Sequence, residues 1–231
     1  MLTQAGGCAP APLFQIRDAQ VVRTGKTILH VGDFSLDEGE HVALLGPNGA
    51  GKSTFIQLLT REVFPLFREE PPVRFRGQAR PLLEDIRSSL GIVSACMHDH
   101  VRVERLGIGD LANRDIMTLS TGQVRRVLVA RELVRDPQVL VFDEPCTGLD
   151  PQGMYHLRQI MSTLAEDGRS IILVTHYPED IVPEIDRILL IKDAAVFADG
   201  SKERLLTSEV MSDLFSVPLT VAKHDGWYSL Y

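Results

Sequence analysis

One stretch of nine residues constrains the fold of this chain more than any other feature. It matches the pattern G-x-x-x-x-G-K-[ST], and its members are Gly46, Pro47, Asn48, Gly49, Ala50, Gly51, Lys52, Ser53 and Thr54. A short apolar run at 41–45 precedes it, and residues 54–60 follow it with helical patterning. The pattern predicts a strand, a glycine-rich loop and a helix in direct succession, a context that a simple glycine-rich turn does not need.

This loop has the chemistry of a phosphate cradle. Its glycines let successive backbone N–H groups converge on an anion without obstruction by Cβ atoms, and the following helix N-terminus adds positive potential. Lys52 can reach β- and γ-phosphates, and Ser53 offers a hydroxyl to Mg²⁺. The loop therefore predicts a polyphosphate ligand.

Two adjacent carboxylates, Asp143 and Glu144, follow the apolar run 139–142. This run and 171–174 are continuous rather than alternating, which is typical of parallel strands covered on both faces. Open α/β sheets bind ligands at the carboxyl ends of their strands. We predict that Asp143 holds Mg²⁺, directly or through water, and that Glu144 is the general base for a hydrolytic water. The alternative is a solvated strand end, which the Asp-Glu pair alone would not exclude.

Composition narrows the class of protein. The 231 residues carry a formal charge of −7 and are 44% hydrophobic, so the chain lacks the basic footprint of a nucleic-acid binder. Three widely spaced cysteines, Cys8, Cys96 and Cys146, favour a reducing compartment over a disulfide framework. No secretory signal is recognisable, and no apolar run approaches the ~20 residues that span a bilayer. We expect a cytoplasmic α/β protein that meets a membrane only through a partner.

Three further segments complete a resemblance to the nucleotide-binding domain of ABC-type ATPases. Residues 119–123, Leu-Ser-Thr-Gly-Gln, resemble the signature motif, with Thr121 where glycine is usual. Residues 147–151 resemble the D-loop, which contains Asp150, and residues 174–176 end on the switch histidine, His176. This motif order spans residues 46 to 176, which makes it far more specific than the phosphate loop alone.

The resemblance implies a fold and an activity. The expected fold is a P-loop NTPase core with a mostly parallel sheet flanked by helices, plus an N-terminal antiparallel β subdomain and a helical subdomain. The expected activity is Mg-dependent ATP hydrolysis by a head-to-tail dimer that sandwiches two ATP molecules. Across the dimer, the resemblance implies that Ser120, Thr121, Gly122 and Gln123 face the γ-phosphate held by the partner and that Asp150 couples the two sites. At the reacting end, it implies that His176 contacts the γ-phosphate or the attacking water, while Glu144 is the base. Considered singly, Ser120 is equally a helix N-cap and His176 an ordinary strand-end histidine.

Three further features depart from the family pattern. Arg23 occupies the place of the aromatic residue that stacks on adenine, so it either stacks through its guanidinium plane or is a solvated turn residue. Ala95 stands where the Q-loop glutamine is expected. The segment 96–118 is shorter than the usual helical subdomain, which docks the coupling helices of a transporter. Binding and hydrolysis are therefore better supported by the sequence than transport.

These features predict one ABC-type domain over residues 1–231. Its parts are 13–94 for the β subdomain and phosphate-loop half, 95–118 for the shortened helical segment, 119–205 for the signature helix and remaining core, and 206–231 for a C-terminal extension. The apolar residues of the tail 216–231 suggest added strands or a contact with a partner, and simple packing on the core is the default interpretation. His98 and His100 favour a polar loop over a metal site, and Cys146 favours simple packing over redox control.

The leading hypothesis is an ATP-hydrolysing subunit that pairs with a second ATPase subunit and powers a membrane-spanning permease. Two alternatives remain. One is an ABC-type switch that acts on a soluble partner without transport, and the other is a degenerate binding module with little turnover. Lys52, Asp143 and Glu144 are all present, which argues against the degenerate module.

Overall fold

The computed structural model describes residues 11–93 and 115–231. Strands and helices alternate along these residues, as the sequence predicts. The strands are β1 (Phe14–Arg23), β2 (Lys26–Leu36), β3 (His41–Leu45), β4 (Val73–Phe75), β5 (Leu90–Val93), β6 (Val139–Asp143), β7 (Ser170–Thr175), β8 (Arg187–Lys192), β9 (Ala195–Ser201), β10 (Val221–His224) and β11 (Trp227–Leu230). The helices are α1 (Lys52–Leu59), α2 (Leu83–Ser89), α3 (Thr121–Leu133), α4 (Pro151–Glu166), α5 (Lys202–Leu205) and α6 (Ser208–Phe215).

Nine of these strands form one sheet in the order β4-β1-β2-β9-β8-β3-β7-β6-β5. The five strands β8, β3, β7, β6 and β5 run parallel to one another, whereas β8 pairs antiparallel with β9 and β1 pairs antiparallel with both β2 and β4. The predicted parallel core with an N-terminal antiparallel part is confirmed, and the two parts share a single sheet because β2 pairs with β9. Strands β10 and β11 form a separate hairpin.

Two hydrophobic clusters cover the parallel strands, and neighbouring residues along β3 alternate between them. Val42 and Leu44 belong to the cluster that includes the buried face of α1, while Ala43 and Leu45 belong to the cluster that includes α3, α4 and α6. Both faces of these strands are therefore buried, which explains why β3, β6 and β7 have continuous apolar sequences.

Some predictions fall on residues that the structure does not describe. The shortened helical segment, Ala95 and the pair His98 and His100 lie outside the described residues, as do Cys8 and Cys96. Within 11–93 and 115–231, no helix is long and apolar enough to cross a membrane.

Candidate functional site

The carboxyl ends of three neighbouring strands bring the predicted site together. Leu45 at the end of β3 pairs with Thr175 at the end of β7, and Asp143 at the end of β6 pairs with Val174. The phosphate loop, Glu144 and His176 each begin where one of these strands stops. Parallel pairing therefore places chain segments about 100 residues apart in sequence at one edge of the sheet.

The phosphate loop lies close to the end of β8 and to the backbone that follows it. A Cβ atom on Gly46 would lie 2.1 Å from the carbonyl oxygen of Ile191, so only glycine fits there. Gly51 has a φ of 115°, a conformation that favours glycine, and it is the N-cap of α1. The amide of Ala194 donates a hydrogen bond to the carbonyl of Ala50 at 3.1 Å. The cradle is thus formed by backbone geometry, as the motif predicts.

Lys52 lies inside this cradle. Its side chain is buried, and its Nζ donates hydrogen bonds to the carbonyls of Gly46 (2.7 Å) and Pro47 (3.1 Å). Burial lowers the pKa of Lys52, while the charges of Glu144 and Asp143 oppose that change. The next residue, Ser53, exposes its hydroxyl. A buried cation and an exposed hydroxyl at a helix N-terminus suit an oxyanion and a metal ion, respectively.

The two predicted carboxylates have different environments. Burial raises the pKa of Asp143 and the charge of Glu144 raises it further, whereas Lys52 and Arg125 act in the opposite direction. Glu144 lies just beyond the strand with a φ of 45°, an uncommon conformation for a non-glycine residue, and its amide donates to the carbonyl of Val174 at 2.8 Å. Such a conformation persists only where the surroundings fix it.

His176 lies beside Glu144. Its Nδ1 is 3.3 Å from Oε1 of Glu144, a distance suited to proton transfer or an ion pair, although the two atoms lack the alignment of a hydrogen bond. Catalytic hydrogen bonds often become aligned only in the substrate complex. The imidazole also packs against the ring of Tyr177, with 3.9 Å between ring centroids. The predicted base and the predicted switch histidine are therefore neighbours.

Arg125 is a buried cation near these carboxylates, which the sequence pattern did not predict. Its side chain is 5% exposed, and its Nη2 lies 3.5 Å from the carbonyl of Glu144. Burial lowers its pKa, which the charges of Cys146 and Asp143 oppose. The sequence carries a weak signal, because positions 125, 128 and 129 share the buried face of α3. Its proximity to β6 arises only from tertiary packing.

The signature and D-loop residues lie at two helix N-termini. Ser120 caps α3 and forms a capping box with Gln123, in which each side chain accepts a hydrogen bond from the other residue's amide. Asp150 caps α4 by accepting a hydrogen bond from the amide of Gly153 at 2.7 Å. A Cβ on Gly122 would lie 3.4 Å from Cα of Gly153, so the two N-termini meet at small residues.

Two of these side chains project away from the rest of the chain. Ser120 and Thr121 are both exposed at the start of α3, and Thr121 is therefore accommodated where the family pattern has glycine. Among the described residues, no hydrogen bond or ion pair connects positions 120–123 with loop 46–54 of the same chain.

Arg23 and the metal-binding residues stay predictions. Arg23 is exposed at the end of β1, where it pairs with Lys26 across the hairpin turn. In the described ranges, no group of three or more His, Cys, Asp or Glu side chains could hold a metal ion by itself. A magnesium ion bound with nucleotide needs only one or two protein oxygens, because phosphates and water complete its coordination.

Comparison with known proteins finds similarity to ABC transporter proteins. The family model described as ABC transporter matches residues 29–147. The ABC transporter ATP-binding protein YlmA of Bacillus subtilis is 30% identical over 90% of this chain and 93% of its own length. The Nod factor export ATP-binding protein I of Burkholderia lata is 31% identical over 83% of this chain and 72% of its own. The structure of CbiO1 from Clostridium perfringens, part of the ABC transporter complex CbiONQ, has a TM-score of 0.74 at 24% identity, covering 88% and 94% of the two chains.

Proposed function

The chain is a member of the ABC transporter family, and from this membership we propose that it binds and hydrolyses ATP with Mg²⁺ to power a membrane transporter. One observation carries the hydrolytic part of the proposal. The negative charges of Glu144 and Asp143 oppose the burial that lowers the pKa of Lys52, and Nδ1 of His176 lies 3.3 Å from Oε1 of Glu144 at the same sheet edge. In this proposal, Lys52 is the cation that binds phosphate, and Glu144 is the base that accepts a proton from water.

The residues at this edge suit Mg²⁺. Ser53 supplies an exposed hydroxyl and Asp143 a carboxylate, and hard oxygen donors are what this ion prefers. Burial raises the pKa of Asp143, so a divalent cation there would offset the cost of its negative charge. When bound, Mg²⁺ would neutralise charge on the β- and γ-phosphates.

The chain's own groups supply the remaining chemistry. The loop amides and Lys52 bind the phosphates, and the buried position of Lys52 strengthens its attraction to them. The carboxylate of Glu144 accepts a proton from the attacking water, and His176 orients the γ-phosphate or that water. Arg23 borders the adenine. Across a head-to-tail interface, the partner's α3 N-terminus presents Ser120, Thr121, Gly122 and Gln123 to the γ-phosphate, and Asp150 connects the two sites.

The hydrolytic role is tested by Glu144→Gln, which keeps the size of the side chain but removes its basicity. We expect ATP turnover to fall about 10²- to 10⁴-fold, the usual contribution of a general base, while ATP affinity is retained. Phosphate release and fluorescent-nucleotide binding measure the two quantities. Glu166→Gln, an exposed change at the end of α4, is the matched control and keeps full turnover. Unchanged turnover in Glu144→Gln would remove Glu144 from this role.

We propose a membrane-spanning permease as the partner, with the chain at the inner face of the membrane. The family membership and the transporter names of the relatives support this partner. Affinity purification of the tagged Glu144→Gln chain from detergent-solubilised membranes, with and without ATP, tests it. We expect a multi-span membrane protein in the eluate. Recovery of soluble partners alone would contradict the transport role and leave the hydrolytic role intact.

A further inference from the structure

A buried network of polar side chains lies directly behind Glu144 and His176, and the proposed chemistry does not use it. Thr175, the last residue of β7, is buried, and its hydroxyl accepts a hydrogen bond from the amide of Tyr177 at 3.0 Å. The same hydroxyl donates to Oδ2 of Asp180 at 2.8 Å. These two bonds join residues on either side of His176, so the conformation of the loop 176–180, the switch loop, depends on the Thr175 hydroxyl.

Asp180 is the centre of this network. It ends the short 3₁₀ turn Pro178–Asp180 and is 4% exposed. Its Oδ1 accepts a hydrogen bond from Nη2 of Arg158 on α4 at 3.3 Å. Burial and the charge of Asp180 together raise the pKa of Cys146, two residues after Glu144, to about 12. The buried carboxylate of Asp180 therefore joins the segment after β7 to α4.

The C-terminal hairpin of β10 and β11 covers this network from outside. The guanidinium of Arg158 lies over the ring of Trp227, 5.4 Å from its centroid. The amide of Leu230 donates to Oε1 of Glu179 at 2.7 Å, which ties β11 to the 3₁₀ turn. Tyr228 between them is 4% exposed and belongs to the same hydrophobic cluster as α4. The hairpin is thus packed on the switch loop through both polar and apolar contacts.

We propose that Asp180 is a positioning residue that fixes His176 against Glu144, and that the C-terminal hairpin holds Asp180 in place through Arg158 and Glu179. The proposal rests on the hydrolytic roles given above to His176 and Glu144. Its physical basis is geometric, because a displacement of about 1 Å in a reacting group can cost on the order of 10²-fold in rate. The Asp180 carboxylate acts through Thr175 and never touches ATP.

Asp180→Asn and Thr175→Val test this role. The first keeps the shape of the side chain and loses its charge, and the second replaces the Thr175 hydroxyl by a methyl group. We expect kcat to fall about ten- to hundred-fold in each, with KM for ATP changed by less than about two-fold, because the phosphate loop is untouched. Thr175→Ser restores the hydroxyl and is expected to recover most of kcat. Trp227→Leu is expected to lower kcat by a smaller factor.

Asp199→Asn is the matched control. It breaks the ion pair in which Asp199 accepts two hydrogen bonds from Arg187. Arg187 begins β8, at the end of the strand opposite to the candidate site. This change is expected to lower thermal stability and leave kcat unchanged. If Asp199→Asn lowers kcat as much as Asp180→Asn, the effect is general destabilisation and the proposal is wrong.

The ¹⁵N signals of the His176 imidazole provide a readout that does not depend on turnover. We expect them to shift in Asp180→Asn and Thr175→Val and to stay in place in Thr175→Ser and Asp199→Asn. Unchanged His176 signals, or unchanged kcat in Thr175→Val, would overturn the positioning role, and unchanged kcat in Trp227→Leu would overturn the part assigned to the hairpin. A wild-type chain without ATP turnover would instead contradict the proposed function, and the imidazole signals would still decide this inference.

Discussion

At the scale of single residues, the ionised carboxylate of Asp143 lowers the stability of the folded chain. Burial and the adjacent charge of Glu144 raise the pKa of this carboxyl above its ordinary value of 3.8. The ionised form is then less favourable in the folded chain than in the unfolded chain. The cost is absent below the ordinary pKa, grows as the pH rises through the interval up to the raised pKa, and is complete above it. Functional sites often carry such destabilising groups.

Asp143→Asn is therefore expected to stabilise the nucleotide-free chain near pH 7 while it weakens Mg²⁺-dependent turnover. We expect the Tm of this variant to lie above that of the wild type; in a chain of this size a rise of about 2–4 °C corresponds to ~1 kcal/mol. The gain shrinks as the pH is lowered towards 4. Thermal melts between pH 4.5 and 7.5 measure it, with Asp199→Asn as a carboxylate change expected to lower Tm. A Tm at or below that of the wild type at pH 7 would contradict this explanation.

The convergence of the proposed reacting residues could be predicted from the sequence, whereas the residues packed behind them could not. Lys52, Asp143, Glu144 and His176 each end or follow a strand within an ordered motif, so their convergence follows from parallel pairing of the strands. Asp180 has no comparable signal. Its burial depends on Arg158 and Thr175, which lie on separate elements, and single-sequence patterns do not report such contacts.

At the scale of elements, continuous apolar runs predicted several buried strands, but the sequence pattern missed other elements. Strand β3 matches its predicted bounds, and β6 and β7 extend beyond their predicted apolar runs by one residue or fewer at either end. Helix α4 was not predicted, although its buried positions Leu157, Met161 and Leu164 recur at helical spacing after the Asp150 cap. The three-residue β4 was also missed, because a strand that short has no measurable period.

Strand order is a property that no local pattern contains. Strand β3 lies between β8 and β7, which follow it by more than 120 residues in the sequence. The continuous apolar runs predicted parallel strands, but only the resemblance to a known family supplied the expectation of an antiparallel N-terminal part. The predicted strands in the tail are confirmed as β10 and β11, but their packing on the switch loop depends on side chains from α4 and on Glu179.

At the scale of the whole molecule, the proposed site has two parts that lie at different places in one chain. The phosphate loop, Asp143, Glu144 and His176 lie together at one sheet edge, and Ser120 lies exposed at the N-terminus of α3. A head-to-tail pair of chains would bring the Ser120 of each copy to the phosphate loop of the other. The net charge of −7 does not oppose ATP at such a site, because Lys52 and the backbone amides provide local positive potential.

The most direct test of this composite site is complementation between two inactive variants. Lys52→Ala removes the phosphate-binding cation, and Ser120→Arg blocks the signature surface. We expect each variant alone to hydrolyse ATP poorly. A mixed pair keeps one intact site, formed by the phosphate loop of the Ser120→Arg chain and the Ser120 of the Lys52→Ala chain.

The measurement is the rate of phosphate release from an equimolar mixture, compared with the sum of the two separate rates. Lys52→Ala mixed with the Lys52→Ala/Ser120→Arg double variant is the control, because no pairing of those chains contains an intact site. The account predicts that the first mixture hydrolyses ATP well above the sum and the control does not. A first mixture that only equals the sum would contradict a site shared between two copies.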